Sequence, residues 1–205
     1  MANCCIDCLK CVSKNKDELI RLSKILERKD PEYATGLFDG GSEDILEEDG
    51  YYTMLVNGWT KWSLDPFIGI DEEYKGVKYV GLDYLLKNIC PNTAIEVLAE
   101  ETGCGYAGWL LVYNKGEHLE KSTDCYDPFV ESYDEAEEIL LSAMNDGSIT
   151  EEQMDASMSE IKDEFGEDDC FTMVIGGYEF EFGKPDEIFN GTSRPVERKN
   201  PEIIS

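Results

Sequence analysis

Eight cysteines and one histidine are the residues of this 205-residue chain best suited to chemistry. Cys4, Cys5, Cys8 and Cys11 crowd one short segment, and Cys5-x-x-Cys8 and Cys8-x-x-Cys11 have the spacing of a thiolate metal site. The same segment, residues 4–12, is short, β-tolerant and rich in small apolar groups, and it reads as a strand. Strand alternation sends residues 5, 7, 9 and 11 to one face and 4, 6, 8 and 10 to the other. Cys8 then cannot join Cys5 and Cys11 at one ion. A zinc knuckle also needs a loop with glycine or proline nearby, and neither is present. The thiols are expected to be small buried apolar groups. A Cys-rich structural zinc protein is the alternative, and elemental analysis of the purified protein tests it.

His118 is the sole histidine, beside the hairpin-turn sequence Asn114-Lys115-Gly116-Glu117. Any Ser/His/Asp or Cys/His pair would have to use it. There is no Gly-x-Ser-x-Gly elbow and no helix with paired histidines. Gly103-Cys104-Gly105-Tyr106-Ala107-Gly108 has a superficial likeness to a phosphate loop. It lacks the Lys-Ser/Thr of one, and it precedes a strand where a dinucleotide fingerprint opens a helix. Those glycines are read as a tight turn. Asp163-Glu164-Phe165-Gly166-Glu167-Asp168-Asp169 gathers oxygens around a glycine but misses the spacing of a twelve-residue EF-hand loop. Of the tryptophans at the end of a strand, Trp62 is expected at a core edge; Trp59 is open between core and binding platform. A small ligand-binding domain or enzyme, with Trp59, Lys61, Tyr106 and His118 near one sheet edge, is therefore the second functional alternative. With no nucleophile–base pair, no catalytic residue, cofactor or metal is assigned, and the chain reads as non-enzymatic.

Acid dominates the rest. The chain has 45 Asp and Glu against 18 Lys and Arg, a net charge of -27, and between Glu131 and Asp169 it carries fifteen acidic side chains and one basic one, Lys162. Like-charge pairs four apart recur there at Glu131/Glu135, Asp134/Glu138, Glu151/Asp155 and Glu160/Glu164. Each costs a helix roughly 0.2–0.5 kcal/mol, and each sets carboxylates about 5–6 Å apart along a ridge. A duplex carries a charge every ~1.7 Å of axis over both strands, so two such helices can approximate a phosphate ladder. The partner-binding residues expected on this basis are Glu131, Asp134, Glu135, Glu138, Glu151, Glu152, Asp155, Glu160, Asp163, Glu164, Glu167, Asp168 and Asp169. They would meet Arg and Lys of a basic host protein of a nucleic-acid-binding complex. The field repels nucleic acid and anionic membrane, so neither is expected as a direct partner. The competing view is a solvated acidic face that maintains solubility.

These groups need elements to hold them. Hydrophobic residues make up 41% of the chain, enough for a real core, and no apolar run reaches the ~18 residues of a membrane span. The N-terminus lacks the positive and apolar regions of a signal peptide, so a cytoplasmic protein with reduced thiols is expected. The pattern predicts a strand over 4–12 and a helix over 16–28, opened by Asn15 with Glu18 at capping-box spacing. Residues 35–50 read as a loop. Strands follow at 51–57 and 77–80, then a helix along Leu82, Leu85, Leu86 and Ile89, then strands at 93–100, 106–113 and 118–122. Helices opened by Ser132 and Thr150 come next, and a hairpin over 170–182 turning on Gly176-Gly177. The fold expected is α+β, an antiparallel sheet with helices on one face, extended by the acidic helices and that hairpin. The division expected is 1–126, 127–189 and a flexible tail over 190–205.

Three segments together carry a resemblance. They are Met-Ala-Asn-x-Cys at residues 1–5, Asn57-Gly58-Trp59-Thr60-Lys61-Trp62, and the run from Leu82 to Tyr126 with its Cys90-Pro91 stop and Glu100-Glu101-Thr102-Gly103-x-Gly105-Tyr106-Ala107-Gly108. The set resembles the Api92-like family of phage and plasmid proteins over roughly residues 1–126. The resemblance implies a ferredoxin-like domain and a mobile-element origin, with no activity and no catalytic residues. Cys4 stands where that family usually has an aromatic, and Asp7 where it usually has Asn. An anti-defence protein aimed at a CRISPR effector or a restriction enzyme is the function this combination leads one to expect.

Overall fold

Strand β1 (Cys4–Ser13) is a central strand of a sheet, and its alternation explains most of what surrounds it. Helix α1 (Lys16–Leu26) follows, then β2 (Tyr33–Ala34), β3 (Phe38–Ser42), β4 (Leu46–Glu48), β5 (Tyr51–Lys61), β6 (Asp71–Tyr74), β7 (Val77–Val80), α2 (Leu82–Asn88), β8 (Thr93–Glu101), β9 (Tyr106–Tyr113) and β10 (Glu117–Asp124). The remainder holds β11 (Phe129–Val130), α3 (Tyr133–Asp146), α4 (Glu151–Glu164), β12 (Phe171–Val174), β13 (Tyr178–Glu179), α5 (Pro185–Phe189), β14 (Val196–Glu197) and β15 (Glu202–Ile204). This is a computed structural model, and it describes residues 4–61, 64, 67–101, 106–124, 129–130, 132–166, 171–174, 178–179, 181–197 and 202–204. The chain forms two units, residues 1–122 with 180–195, and residues 123–179 with 196–205.

The first unit is built on a seven-stranded antiparallel sheet in the order β10-β9-β8-β1-β5-β3, with β4 also pairing β5. A smaller sheet, β2-β7-β6, joins a parallel and an antiparallel pair. One face of β1 sends Cys5, Leu9 and Cys11 into the main core. There they meet Val56 and Met54 of β5, Ile95, Val97 and Ala99 of β8, and the buried stripes Leu19–Leu22–Ile25–Leu26 of α1 and Leu82–Leu85–Leu86 of α2. The opposite face carries Val12, Ala94, Leu98, Trp109 and Leu111 against Ile188 of α5. Helices therefore cover both faces, where one was expected. The sequence conceals α5 because it is a single short turn, started by Pro185 at the beginning of the helix.

Three further expectations are corrected. Residues 35–50 were expected as a loop, yet β3 and β4 lie there and pair with β5. The missed signal is Asp49-Gly50, whose φ values of 51° and 79° are those of a two-residue hairpin turn. The hairpin expected over 170–182 is not the pairing formed. Strand β12 lies between β11 and β15, and β13 pairs with β14; the turn at 175–177 lies outside the described residues. The reason is that the end of the chain returns to supply partner strands. Residues 190–205, expected as a flexible tail, accordingly contain β14, β15 and the buried Ser193, and 180–195 belongs with the first unit.

In the second unit α3 and α4 pack through Ala136, Leu140, Ala143, Met154, Met158 and Ile161, with Val130 and Ile149 beside them. Gly147 ends α3 in the left-handed conformation at φ 85°, which a glycine adopts without strain. Thr150 begins α4 with a reciprocal capping box: its hydroxyl accepts from the Gln153 amide at 3.2 Å, and its own amide donates to Gln153 Oε1 at 2.8 Å. Thr150→Ala should cost about 1 kcal/mol of stability. The check is a lowered unfolding midpoint followed by helical circular dichroism.

Candidate functional site

The acidic helices present their charge because their apolar stripes are narrow. On α3 only Ala136, Leu140 and Ala143 are buried, and on α4 Met154, Ser157, Met158 and Ile161. Of the expected partner-binding residues, Asp134, Glu135, Glu138, Glu151, Glu152, Asp155, Glu160, Asp163 and Glu164 are described, and all are exposed. Glu137 and Asp146 join them, and the one cation among these helical residues is the exposed Lys162. Glu131, Glu167, Asp168 and Asp169 lie outside the described residues.

At about 100° per residue the groups do not form one line. Asp134 and Glu138 lie opposite the buried stripe of α3, with Glu135 and Glu137 on its two flanks. On α4, Glu152 and Asp163 lie opposite the stripe; Glu151 and Asp155 take one flank, shared with Lys162, and Glu160 and Glu164 the other. The pairs Asp134/Glu138, Glu151/Asp155 and Glu160/Glu164 are thus separate short ridges on the solvent side of the two helices, while Glu131 precedes α3 and lies outside the described residues. The described ion pairs, Lys10–Glu48, Arg21–Asp30, Arg21–Glu32 and Lys29–Glu27, all lie in the first unit. No described ion pair involves Asp134, Glu138, Glu151, Glu152, Asp155, Glu160, Asp163 or Glu164. The Asp146 carboxyl sits below its usual range because the Ser148 hydroxyl and amide donate to it. The last turn of α3 has no basic residue, and Asp163 and Glu164 close α4. Negative charge at a helix C-terminus opposes the macrodipole by about 0.3–1 kcal/mol.

The other candidate groups are dispersed. Strand alternation leaves Cys5 and Cys11 buried on one face and Cys8 half-buried on the other. Cys11 and Cys90 are free thiols. Burial pushes the Cys90 thiol up to about 12 and shifts Cys11 upward as well, so neither supplies a thiolate near neutral pH. Among the described residues no three His, Cys, Asp or Glu side chains gather as a metal site. The grouping of Trp59, Lys61, Tyr106 and His118 at one edge is corrected. Tyr106 begins β9 and Lys61 ends β5, but His118 follows the turn after Tyr113, at the other end of β9. At about 3.4 Å per residue, some 20 Å of strand separates it from Tyr106. Trp59 is half-buried; Trp62 and residues 102–105 lie outside the described residues.

No protein-family model, curated protein or solved structure matches the chain. No helix among the described residues is long and apolar enough to cross a membrane.

Sequence reasoning missed two internal carboxyls. Glu96 is buried on the α5 side of the sheet, where its carboxylate accepts from Trp109 Nε1 at 2.8 Å, the Gly183 amide at 2.8 Å and Ser193 Oγ at 2.6 Å. Asp7 is buried on the α1 side, and neither of its oxygens has a hydrogen-bond partner. Alternation along β1 puts Asp7 on the same face as Leu9, which is the one signal that marks it.

Proposed function

We propose that this chain is a non-enzymatic binding protein of phage or mobile-element origin, acting in the host cytoplasm. Its acidic helices occupy the basic surface of a nucleic-acid-processing host defence protein, of the CRISPR-effector or restriction type. The observation that carries this reading is the exposed acid of α3 and α4. Eleven described carboxylates there face solvent against one lysine. Retaining them costs helix stability through like-charge pairs and unfavourable ends. A surface that only maintained solubility would not need a single-sign field this dense on two adjacent helices. The family resemblance over residues 1–126 is part of the same proposal. The order β8-β1-β5-β3, with α1 and α2 in the two crossovers, supports a ferredoxin-like reading of the central strands.

The test is capture of a partner from host lysate at low and high salt, with Glu135, Glu138, Glu160 and Glu164 changed together to Lys. Capture by the wild type should weaken as salt rises, since charge steering is screened. The variant should associate at least about tenfold more slowly at low salt. Folding should survive, because Glu138→Lys puts a cation four residues after Asp134 and Glu164→Lys puts one at a helix C-terminus. A folded variant that captures the same protein at the same salt removes the proposal.

A further inference from the structure

Helix α1 carries an aliphatic side chain in the middle of its outer face. At about 100° per residue, Ile20 and Lys24 lie opposite the buried stripe of Leu19, Leu22, Ile25 and Leu26, with Lys16 beyond one of them and Asp17 and Arg21 beyond the other. All five are exposed, Ile20 at 39%. Lys16, Ile20 and Lys24 are spaced four apart, so they form one ridge. Beside it a hollow of about 560 Å³ has Ile20 and Pro31 as its apolar lining, Arg21, Lys24 and Lys29 as its cations, and Asp17 and Asp30 as its acids. Arg21 reaches Asp30 at 3.9 Å and Glu32 at 3.6 Å, and Lys29 meets Glu27 at 2.6 Å. No described ion pair involves Lys16 or Lys24. A chain of net charge -27 thus keeps a cationic helix face with an apolar centre. Helix α3 carries the same design in the opposite sign. Leu141 is 37% exposed and lies with Asp134 and Glu138 on the side away from the buried Ala136, Leu140 and Ala143. It follows Glu137 by four residues and Glu138 by three, so both exposed carboxylates flank it on the helix surface.

We infer that this chain self-associates through α1 of one copy and α3 of another, with Leu141 set against Ile20 and the α3 carboxylates facing Lys16 and Lys24. The two faces differ, so the interface is heterologous. A second copy is selected because α3 matches α1 in both properties, an aliphatic centre and flanking charge of the opposite sign. Nucleic acid offers phosphate without an aliphatic side chain, and the field of the whole molecule repels it. Two single helix faces make a small contact, so the association is weak and reversible. At about 0.15 M salt the repulsion between two copies of net charge -27 is screened beyond about 8 Å, while charges in contact across a partly buried interface are screened much less. The interface uses carboxylates of α3 but does not rest on the reading of those helices as a surface for a host protein.

Sedimentation equilibrium of the full chain at about 0.15 M salt tests it, with two double variants beside the wild type. Ile20→Gln with Lys24→Gln alters α1, and Glu138→Lys with Leu141→Gln alters α3. All four positions are exposed and the new residues are good helix formers, so both variants keep the fold, which circular dichroism verifies. The wild type should gain mean mass with concentration. Each variant alone should associate about tenfold more weakly or less, because every α1–α3 contact then has one altered side. Mixed together they should associate again, since the intact α1 of one meets the intact α3 of the other, whatever the register. The α1 variant retains every carboxylate of the acidic helices, so loss of self-association and loss of host-protein capture are separable in it. A wild type that stays monomeric overturns the inference, and so does a mixture that fails to recover. Undiminished association of either variant by itself also overturns it, by assigning the contact to surfaces other than an α1–α3 pair.

Discussion

Asp7→Asn is expected to stabilise the protein by about 1–3 kcal/mol at pH 8 and to destabilise it by about 1–2 kcal/mol at pH 4. Asp7 lies on the helix-facing side of β1 between Gly58 of β5 and Ala99 of β8, fully buried. Burial pushes its carboxyl from an ordinary value of 3.8 up to about 7, and nearby Thr60 draws it back only partly, without a well-formed hydrogen bond. Between about pH 4 and pH 7 the native chain therefore holds a proton that the unfolded chain has lost. Stability falls as pH rises through that window and is level above it. The shift corresponds to roughly 4 kcal/mol once the group is ionised. Asn removes that term but leaves a buried amide wanting partners, which takes back about 1–3 kcal/mol. Urea unfolding of both proteins at pH 4, 6 and 8 measures the effect. A variant destabilised equally at every pH would show that the Asp7 carboxyl is not desolvated.

That carboxyl also shows where the sequence was legible and where it stopped. The segment Cys5–Cys11 could be assigned as a strand, and its faces sorted, because alternation is a property of the backbone alone. Helices α3 and α4 were equally legible, since Ser132, Thr150 and Gly147 mark their ends and the apolar spacing marks their buried sides. Long-range partnership was not. Nothing local in Phe171–Val174 says that its neighbours are Phe129–Val130 and Glu202–Ile204, because pairing energy belongs to both strands and sequence shows one at a time. Likewise α5 is five residues long and covers the sheet through Ile188, Phe189 and a set of polar contacts, too few apolar positions to give a period. The candidate site was legible as composition. Its geometry was not: the pairs Asp134/Glu138, Glu151/Asp155 and Glu160/Glu164 look like one ridge in a sequence, and the helical rotation between them puts them on different sides.

The polar contacts under α5 carry the second large effect. Glu96→Ala is expected to destabilise the first unit by about 3–5 kcal/mol. Three donors converge on that carboxylate, and two of them, Gly183 and Ser193, lie on the return segment more than eighty residues away. A hydrogen bond to a charged acceptor contributes about 1.5–3 kcal/mol, and a buried donor left without one loses its solvation as well. Truncation would strand the Trp109 indole N–H, the Gly183 amide and the Ser193 hydroxyl together. It would also remove the carboxylate that faces Lys10 in register, whose ammonium holds the Gly183 carbonyl. Ile188 and the partly buried Phe182 and Phe189 would be the contacts left, so residues 181–194 should loosen before the sheet does. Hydrogen exchange separates local from global loss: amides of α5 should exchange much faster in Glu96→Ala, while those of α3 and α4, whose core is their own, should keep their wild-type rates. If α5 stays protected in the variant, Ile188 and its apolar neighbours hold the segment and the carboxylate is dispensable.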